Sequence, residues 1–312
     1  MKYKGAVPLD AVFYLICSIC FAICLLARAD VCTDAVRRAL SLCVNTLIPA
    51  LFPFLVLNGI VLGAGGAQLA ARTAGGLFSR VFKVSPSLCA PFFIGAASGF
   101  PSGAAAICRV YPEGGCSRKD AERALAFSSN AGPAYAIGGL GAMLGDIRLG
   151  ALIYAAQLLS AVLLARMIPR GTAAREASEI NLPSPQHGLL SRAVKGAVTP
   201  MLCICAFVVV FAPVTALLDK GLSLTGIPAA LRGGLLSCVE LTNGAAFVCA
   251  SLSRRAACAI CAFALSWAGL CVHAQTASYT AEAGLSLKYY IPGKLFMGVC
   301  SGVIAWFAAG WC

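Results

Sequence analysis

The chain has 312 residues, of which 60% are hydrophobic and only 12% charged, with a mean hydropathy of +0.85 and a formal net charge of +12. A soluble domain carries about 25% charged residues, so these values exclude a water-soluble protein and describe one that crosses a membrane repeatedly. The basic excess belongs in cytoplasmic loops; the lipid bilayer is the partner this composition demands, and no nucleic acid is expected.

Residues 7–27 are apolar apart from Asp10 and follow Lys2 and Lys4. They predict a first transmembrane helix rather than a cleaved signal, because no small-residue cleavage site precedes the charged turn at 28–38. Residues 39–71 then run 33 positions without a charge, more than the roughly 20 a span needs. Pro49 and Pro53 are expected to break that run near its start, and the glycines at 63–66 to end it. Arg72, Arg80 and Lys83 make a basic loop.

Residues 86–108 carry no charge, yet their middle reads GAASGFPSG. Glycine and proline at this density unwind a helix and free backbone groups, which in hydrocarbon need partners inside the protein. Such breaks line cavities that meet a solute or ion, or else let helices cross closely on small residues. A polar stretch follows at 109–123, where Ser117 and Asp120 read as a helix N-cap with an acid in the first turn. The next run, 124–145, bears a second helix-breaking patch at 127–133 (FSSNAGP). Residues 149–165 span again, and 166–195 form the one clear linker, charged and bearing Pro183 and Pro185.

The second half opens with an uncharged run at 196–218 punctuated by Pro200 and Pro213. Residues 233–253 follow with the single charge Glu240, then 256–281 with His273 and Gln275, and finally 295–312. Most of the 17 cysteines sit inside these apolar runs, as small hydrophobes. The spacings Cys17/Cys20 and Cys258/Cys261 have no companion cluster in a chain whose only histidines are His187 and His273; no metal is expected.

The halves repeat each other in order. From Pro49 to Gly103 is 54 residues and from Pro200 to Gly244 is 44; from Gly103 to Gly132 is 29 and from Gly244 to Gly269 is 25. With both Gly-rich stretches as re-entrant hairpins and the N-terminus inside, 16 of the 24 Lys and Arg fall on the inner side and 8 on the outer, as the positive-inside rule asks. The fold class predicted is therefore an all-α polytopic membrane protein with two inverted repeats, about seven transmembrane helices and two re-entrant, Gly/Pro-broken helical hairpins. Its units are 1–38, an N-terminal helix and polar turn; 39–168, a first repeat with its hairpin near 86–108; 169–195, a cytoplasmic linker; and 196–312, a second repeat with its hairpin near 228–252.

The motifs LIPALFPFL at 47–55, SGFPSGA at 98–104, AERALAFSSNAGP at 121–133, ELTNG at 240–244, AGLCVHAQ at 268–275, and Lys294 together resemble the sporulation integral membrane protein family (YlbJ type), whose members carry a nucleoside-recognition, or Gate, domain. The resemblance covers about residues 41–294. It implies a bacterial inner-membrane protein associated with spore cortex formation, with a domain similar to part of the concentrative nucleoside transporters. It does not supply a substrate, and this chain is short for the family.

Glu240 is the sharpest candidate site. A carboxylate near mid-span costs about 2.5–3.5 kcal/mol to insert and usually faces a cavity and a partner; it would hold a coupling proton or sodium ion, or be satisfied by a nearby serine or backbone N–H. Thr242 and Asn243 beside it, with Ser98, Ser102, Ser129 and Asn130 in the first half, offer uncharged hydrogen-bonding groups for a neutral polar solute such as a nucleoside. Backbone freed at Gly99, Gly103, Gly132 and Gly244 would supplement them, with Pro101 and Pro133 fixing the breaks. His273 and Gln275, late in their run, would relay protons or serve structurally near a helix end. Lys294 either snorkels to the headgroups or pairs with an acid. No nucleophile–base pair, metal quartet or phosphate loop stands out, so neither an enzyme nor a cofactor is expected. The expected function is transport or binding of a small polar solute, alone or as a homo-oligomer; the alternative is a non-transporting scaffold with partners in the sporulation membrane.

Overall fold

The computed structural model describes residues 9–169 and 188–310; most of the predicted linker at 169–195, with Lys2, Lys4 and Arg170, lies outside the described residues. Every regular element among the described residues is helical. Helix α1 (Leu9–Ala27) leads into α2 (Ala29–Leu42). The expected polar turn at 28–38 is thus helical. Its charges lie on one face, while Cys32, Ala35 and Ala39, spaced three and four apart, are buried on the other. A π-helical turn at Cys43–Leu47 precedes α3 (Ile48–Gly63), and the chain bends there by 51°. The bend falls across residues 48–50 and so includes Pro49, as the sequence predicts, while Pro53 lies beyond it. Pro49 occupies the first turn of α3, where its missing N–H costs nothing, and Pro53 is carried inside the helix.

Helix α4 (Gly66–Phe82) ends at Lys83, and the chain turns by 107° into the first hairpin. That hairpin is α5 (Cys89–Ser98), a break at 99–101 with Gly99 at φ +85° and a cis Phe100–Pro101 bond, and α6 (Ser102–Val110). Helix α7 (Arg118–Ser128) starts as the sequence predicts, with the Ser117 hydroxyl accepting from Asp120 N–H at 3.1 Å. It unwinds over 129–133 and resumes as a π-helical stretch, Ala134–Leu140, and the short α8 (Gly141–Met143). Helix α9 (Ile147–Met167) completes this half.

The second half begins with the 35-residue α10 (Leu189–Ser223), which continues through Pro200 and Pro213. Helices α11 (Ala229–Val239) and α12 (Leu241–Ser251) form the second hairpin, broken at Glu240. Helix α13 (Arg254–Trp267) then breaks at Ala268 and Gly269, both at positive φ, into α14 (Gly269–Glu282), and α15 (Tyr290–Ala308) closes the fold. A hairpin followed by a broken helix thus occurs once in each half.

Among the described residues four helices or helix pairs are long and apolar enough to cross a membrane (Ile147–Met167, Leu189–Ser223, Arg254–Glu282 and Tyr290–Ala308), or six if each of two bent pairs is one span. The sequence predicts about seven; four to six is what the helices support. The difference lies in three predicted spans: 39–71 falls in a bent pair, while 7–27 and 124–145 contribute only the shorter apolar helices Ser18–Ala27 and Ala134–Met143 among the described residues, too short to span alone.

Close approach explains many of the glycines. The two helices of the first hairpin meet at Gly95 and Gly103, and a Cβ on either would run into the Ser128 carbonyl oxygen. In the second hairpin a Cβ on Gly244 would collide with the backbone of Ser237. Each hairpin tip also docks on the break of the helix that follows it. Gly99 lies against Gly132 N, 2.9 Å from where its Cβ would be, and Gly269 against Leu241 N and Val239 O at 3.3 Å.

Candidate functional site

Each break frees backbone groups, and at three of them, 99–101, 129–133 and 240, side chains satisfy nearby ones. At the first hairpin tip the Tyr154 hydroxyl donates to Ala96 O at 2.9 Å and Asn58 Nδ2 to Ala97 O at 3.1 Å. In the unwound 129–133 segment, Gln157 clamps Ala131 from both sides: its Oε1 accepts from Ala131 N–H and its Nε2 donates to Ala131 O, each at 3.1 Å. Lys294 Nζ donates to the carbonyl of Ser129, at the C-terminal end of α7, where a basic group suits the helix dipole. At the second tip, Trp267 Nε1 donates to Cys238 O at 3.1 Å. Glu240, only 1% exposed, accepts from Thr242 N–H at 2.9 Å and Asn243 N–H at 2.6 Å, and so caps α12. An acid at a helix N-terminus is the mirror of a base at a C-terminus; here both side chains come from the second half, Glu240 capping α12 and Lys294 reaching the end of α7.

The tips and breaks converge on a cavity of about 90 Å³. Its polar wall is built by Ser98, Gly132, Tyr135, Glu240, Thr242 and Gln275, drawn from both halves. Its apolar wall includes Phe54, Phe100, Phe207, Leu51 and Val208 from α3, the first tip and α10. The buried Tyr135 hydroxyl has no hydrogen-bond partner of good geometry, and a buried polar group without one is costly. Gln275 lines the same space, three residues after Val272 and one helical turn past Cys271.

Of the residues singled out from sequence, Ser98, Gly99, Gly132, Glu240, Thr242 and Gln275 come together on this cavity. The others stand behind it. Ser129 and Asn130 are fully buried, and Asn130 Nδ2 donates to Phe127 O at 2.7 Å. Gly103 and Gly244 serve helix contact, Asn243 offers its backbone N–H to Glu240, and Pro101 and Pro133 flank the lining. Ser102 faces a neighbouring void. His273 lies near the N-terminal end of α14, one turn beyond the Ala268 break, is buried, and meets the Tyr290 hydroxyl through Nδ1 at 3.2 Å. Tyr290 also meets Thr276 at 3.2 Å, so this cluster braces α14 against α15. Lys294 neither snorkels nor pairs with an acid in this geometry; it is fully buried beside Phe100, its Nζ 5.7 Å from that ring.

Sequence reading missed Tyr135, Phe100, Phe207 and Gln157. Tyr135 stood two residues past Pro133 in a run of small and aliphatic residues, and that was the available signal. Gln157 is the polar residue at the centre of a span, 26 positions from the segment it clamps; only the fold reveals its target.

The chain is similar to the sporulation integral membrane protein YlbJ of Bacillus subtilis (strain 168), with 25% identity over 86% of this chain and 76% of that protein. No sequence-family profile matches the chain, and no solved structure matches it. An integral membrane relative and several helices long and apolar enough to span make this a multi-pass membrane protein.

Proposed function

We propose that the protein is a carrier of the nucleoside-recognition, or Gate, type that binds a small polar solute in the central cavity and uses Glu240 as its coupling group. One observation carries this reading: helix breaks from both halves converge on one cavity that holds a single carboxylate. Discontinuous helices meeting at a midpoint site are typical of secondary transporters built from inverted repeats, and the recurring hairpin and broken helix supports that architecture. Hydrogen-bonding groups and aromatic rings in one lining suit a solute with a polar edge and a flat face, of which a nucleoside is the first example to test. At about 90 Å³ the cavity holds several waters, at about 10–15 Å³ each, so a nucleoside binds only when the walls part, as alternating access requires. In this reading the protein sits in the bacterial inner membrane with its N-terminus in the cytoplasm, and similarity to a sporulation protein supports a solute used in spore formation.

A second reading has its own observation. Both carboxylate oxygens of Glu240 already accept backbone N–H groups, as a purely structural cap would, and a scaffold of the sporulation membrane needs no more. Counterflow in proteoliposomes separates the two. Vesicles preloaded with one compound from a panel of nucleosides and amino sugars should draw in the labelled compound, and Glu240→Gln vesicles should not. No counterflow with any compound by a folded, inserted protein would leave the scaffold standing.

A further inference from the structure

A second void of about 300 Å³ lies beside the central cavity, between α3, the start of α10 and the first hairpin. Leu55 and Ser98 line both volumes, so one leucine and one serine stand between them. Its walls are not those of a lipid groove: Asn58, Ser98, Ser102 and Arg192 bring hydrogen-bonding and charged groups to it, and such groups are rare where hydrocarbon is the solvent. On one side α3 and α10 touch, with Gly59 so close to Ala193 that a Cβ there would lie 3.0 Å from the alanine's own. On the other side Gly196 faces open space. Asn58 spans the barrier, donating to Ala97 O in the last turn of α5 at 3.1 Å.

We propose that this void is the water-filled vestibule through which solute reaches the central cavity, with Leu55 and Ser98 as the barrier and the Asn58–Ala97 bond as its latch. The proposal rests on the central cavity being the solute site. The chain supplies its own reporter, because Cys271 lines the central cavity and is otherwise buried. Ser102→Cys reports on the vestibule alone.

The test is labelling of the full-length protein in lipid nanodiscs with the water-borne cationic thiosulfonate MTSET, read peptide by peptide in a mass spectrometer. MTSET is smaller than a nucleoside, so a route that passes the solute admits the reagent. Cys271 and Ser102→Cys should both be labelled. Ser98→Phe, and independently Leu55→Trp should Ser98→Phe fail to fold, should slow Cys271 by about tenfold or more, equivalent to about 1.4 kcal/mol of barrier, and leave Ser102→Cys unchanged. Asn58→Ala should speed Cys271. If Cys271 reacts equally fast with the barrier enlarged, the cavity is reached another way; the vestibule is overturned and the solute site stands. If Ser102→Cys reacts but neither Cys271 nor Gln275→Cys, which lines the same cavity, ever does, the connection is overturned and the carrier reading falls with it. If none of the three reacts, lipid fills the void and the proposal fails.

Discussion

The two oxygens of Glu240 accept one backbone N–H each, at 2.9 and 2.6 Å, while the same carboxylate forms part of the cavity wall. An amide has one acceptor where the carboxylate has two, so Glu240→Gln loses one cap bond. Its expected cost is about 1 kcal/mol, visible as a small fall in unfolding temperature in detergent without loss of insertion; a fall large enough to prevent folding would make Glu240 chiefly structural. Outside the spans, Glu122 on α7 is held by three partners. Arg118 Nε donates to it at 3.0 Å, Ser286 N–H at 3.1 Å, and Lys288 Nζ lies 3.1 Å away. Burial works against its charge, but these partners outweigh burial and hold its carboxyl below the ordinary value of 4.5. A carboxyl with a lowered folded value contributes stability above its unfolded value, and that contribution is lost as pH falls through the folded one. Unfolding temperature should therefore drop on acidification below about pH 4.5, and Glu122→Gln should flatten that part of the curve. An unchanged acid limb in the variant would show that the three contacts add nothing to stability.

Tight crossings set the shape of the helical hairpins, and they make a sharp comparison among glycines. Gly95→Ala and Gly103→Ala drive a methyl into the Ser128 carbonyl, whereas Gly138 and Gly234 have nothing within 4 Å of a new Cβ. The first pair should cost about 1–3 kcal/mol or more by overpacking; Gly138→Ala and Gly234→Ala should be neutral or slightly stabilising, since Ala favours helix over Gly by about 1 kcal/mol. Equal unfolding temperatures across the four variants would contradict the packing described. These elements also show where sequence suffices. The breaks at 99–101, 129–133 and 240 announce themselves, because clustered glycine, proline and serine, or a lone acid, are costly in an apolar run unless the backbone opens onto a cavity or a close contact; the break at 268–269, in a run read as one span, does not. Nor do the partners of these breaks. Tyr154, Gln157, Trp267 and Lys294 lie 26 to 165 residues from the carbonyls they satisfy, and as single polar residues in spans they look alike until the helices are placed. Helix α2 was hidden for another reason: its charges read as a turn, whereas the period of its buried residues is helical.

A hairpin followed by a broken helix occurs in each half, and residues of both halves line the cavity. If the units are inverted, the two sides of the membrane follow from charge: a reporter fused after Arg170 should read cytoplasmic and one after Lys220 external. Both on one side, or the reverse, would dismantle the inverted arrangement. That the cavity belongs to both units and binds through Glu240 is tested most directly by thermal unfolding of the purified protein against nucleosides, amino sugars and small peptidoglycan precursors, with and without sodium. A ligand at about 100 times its Kd adds roughly 2.7 kcal/mol. The expected result is a shift in the wild type that disappears in Glu240→Gln and shrinks in Tyr135→Phe, one variant from each half. A shift that survives both substitutions would place the ligand elsewhere, and the shared site would be wrong.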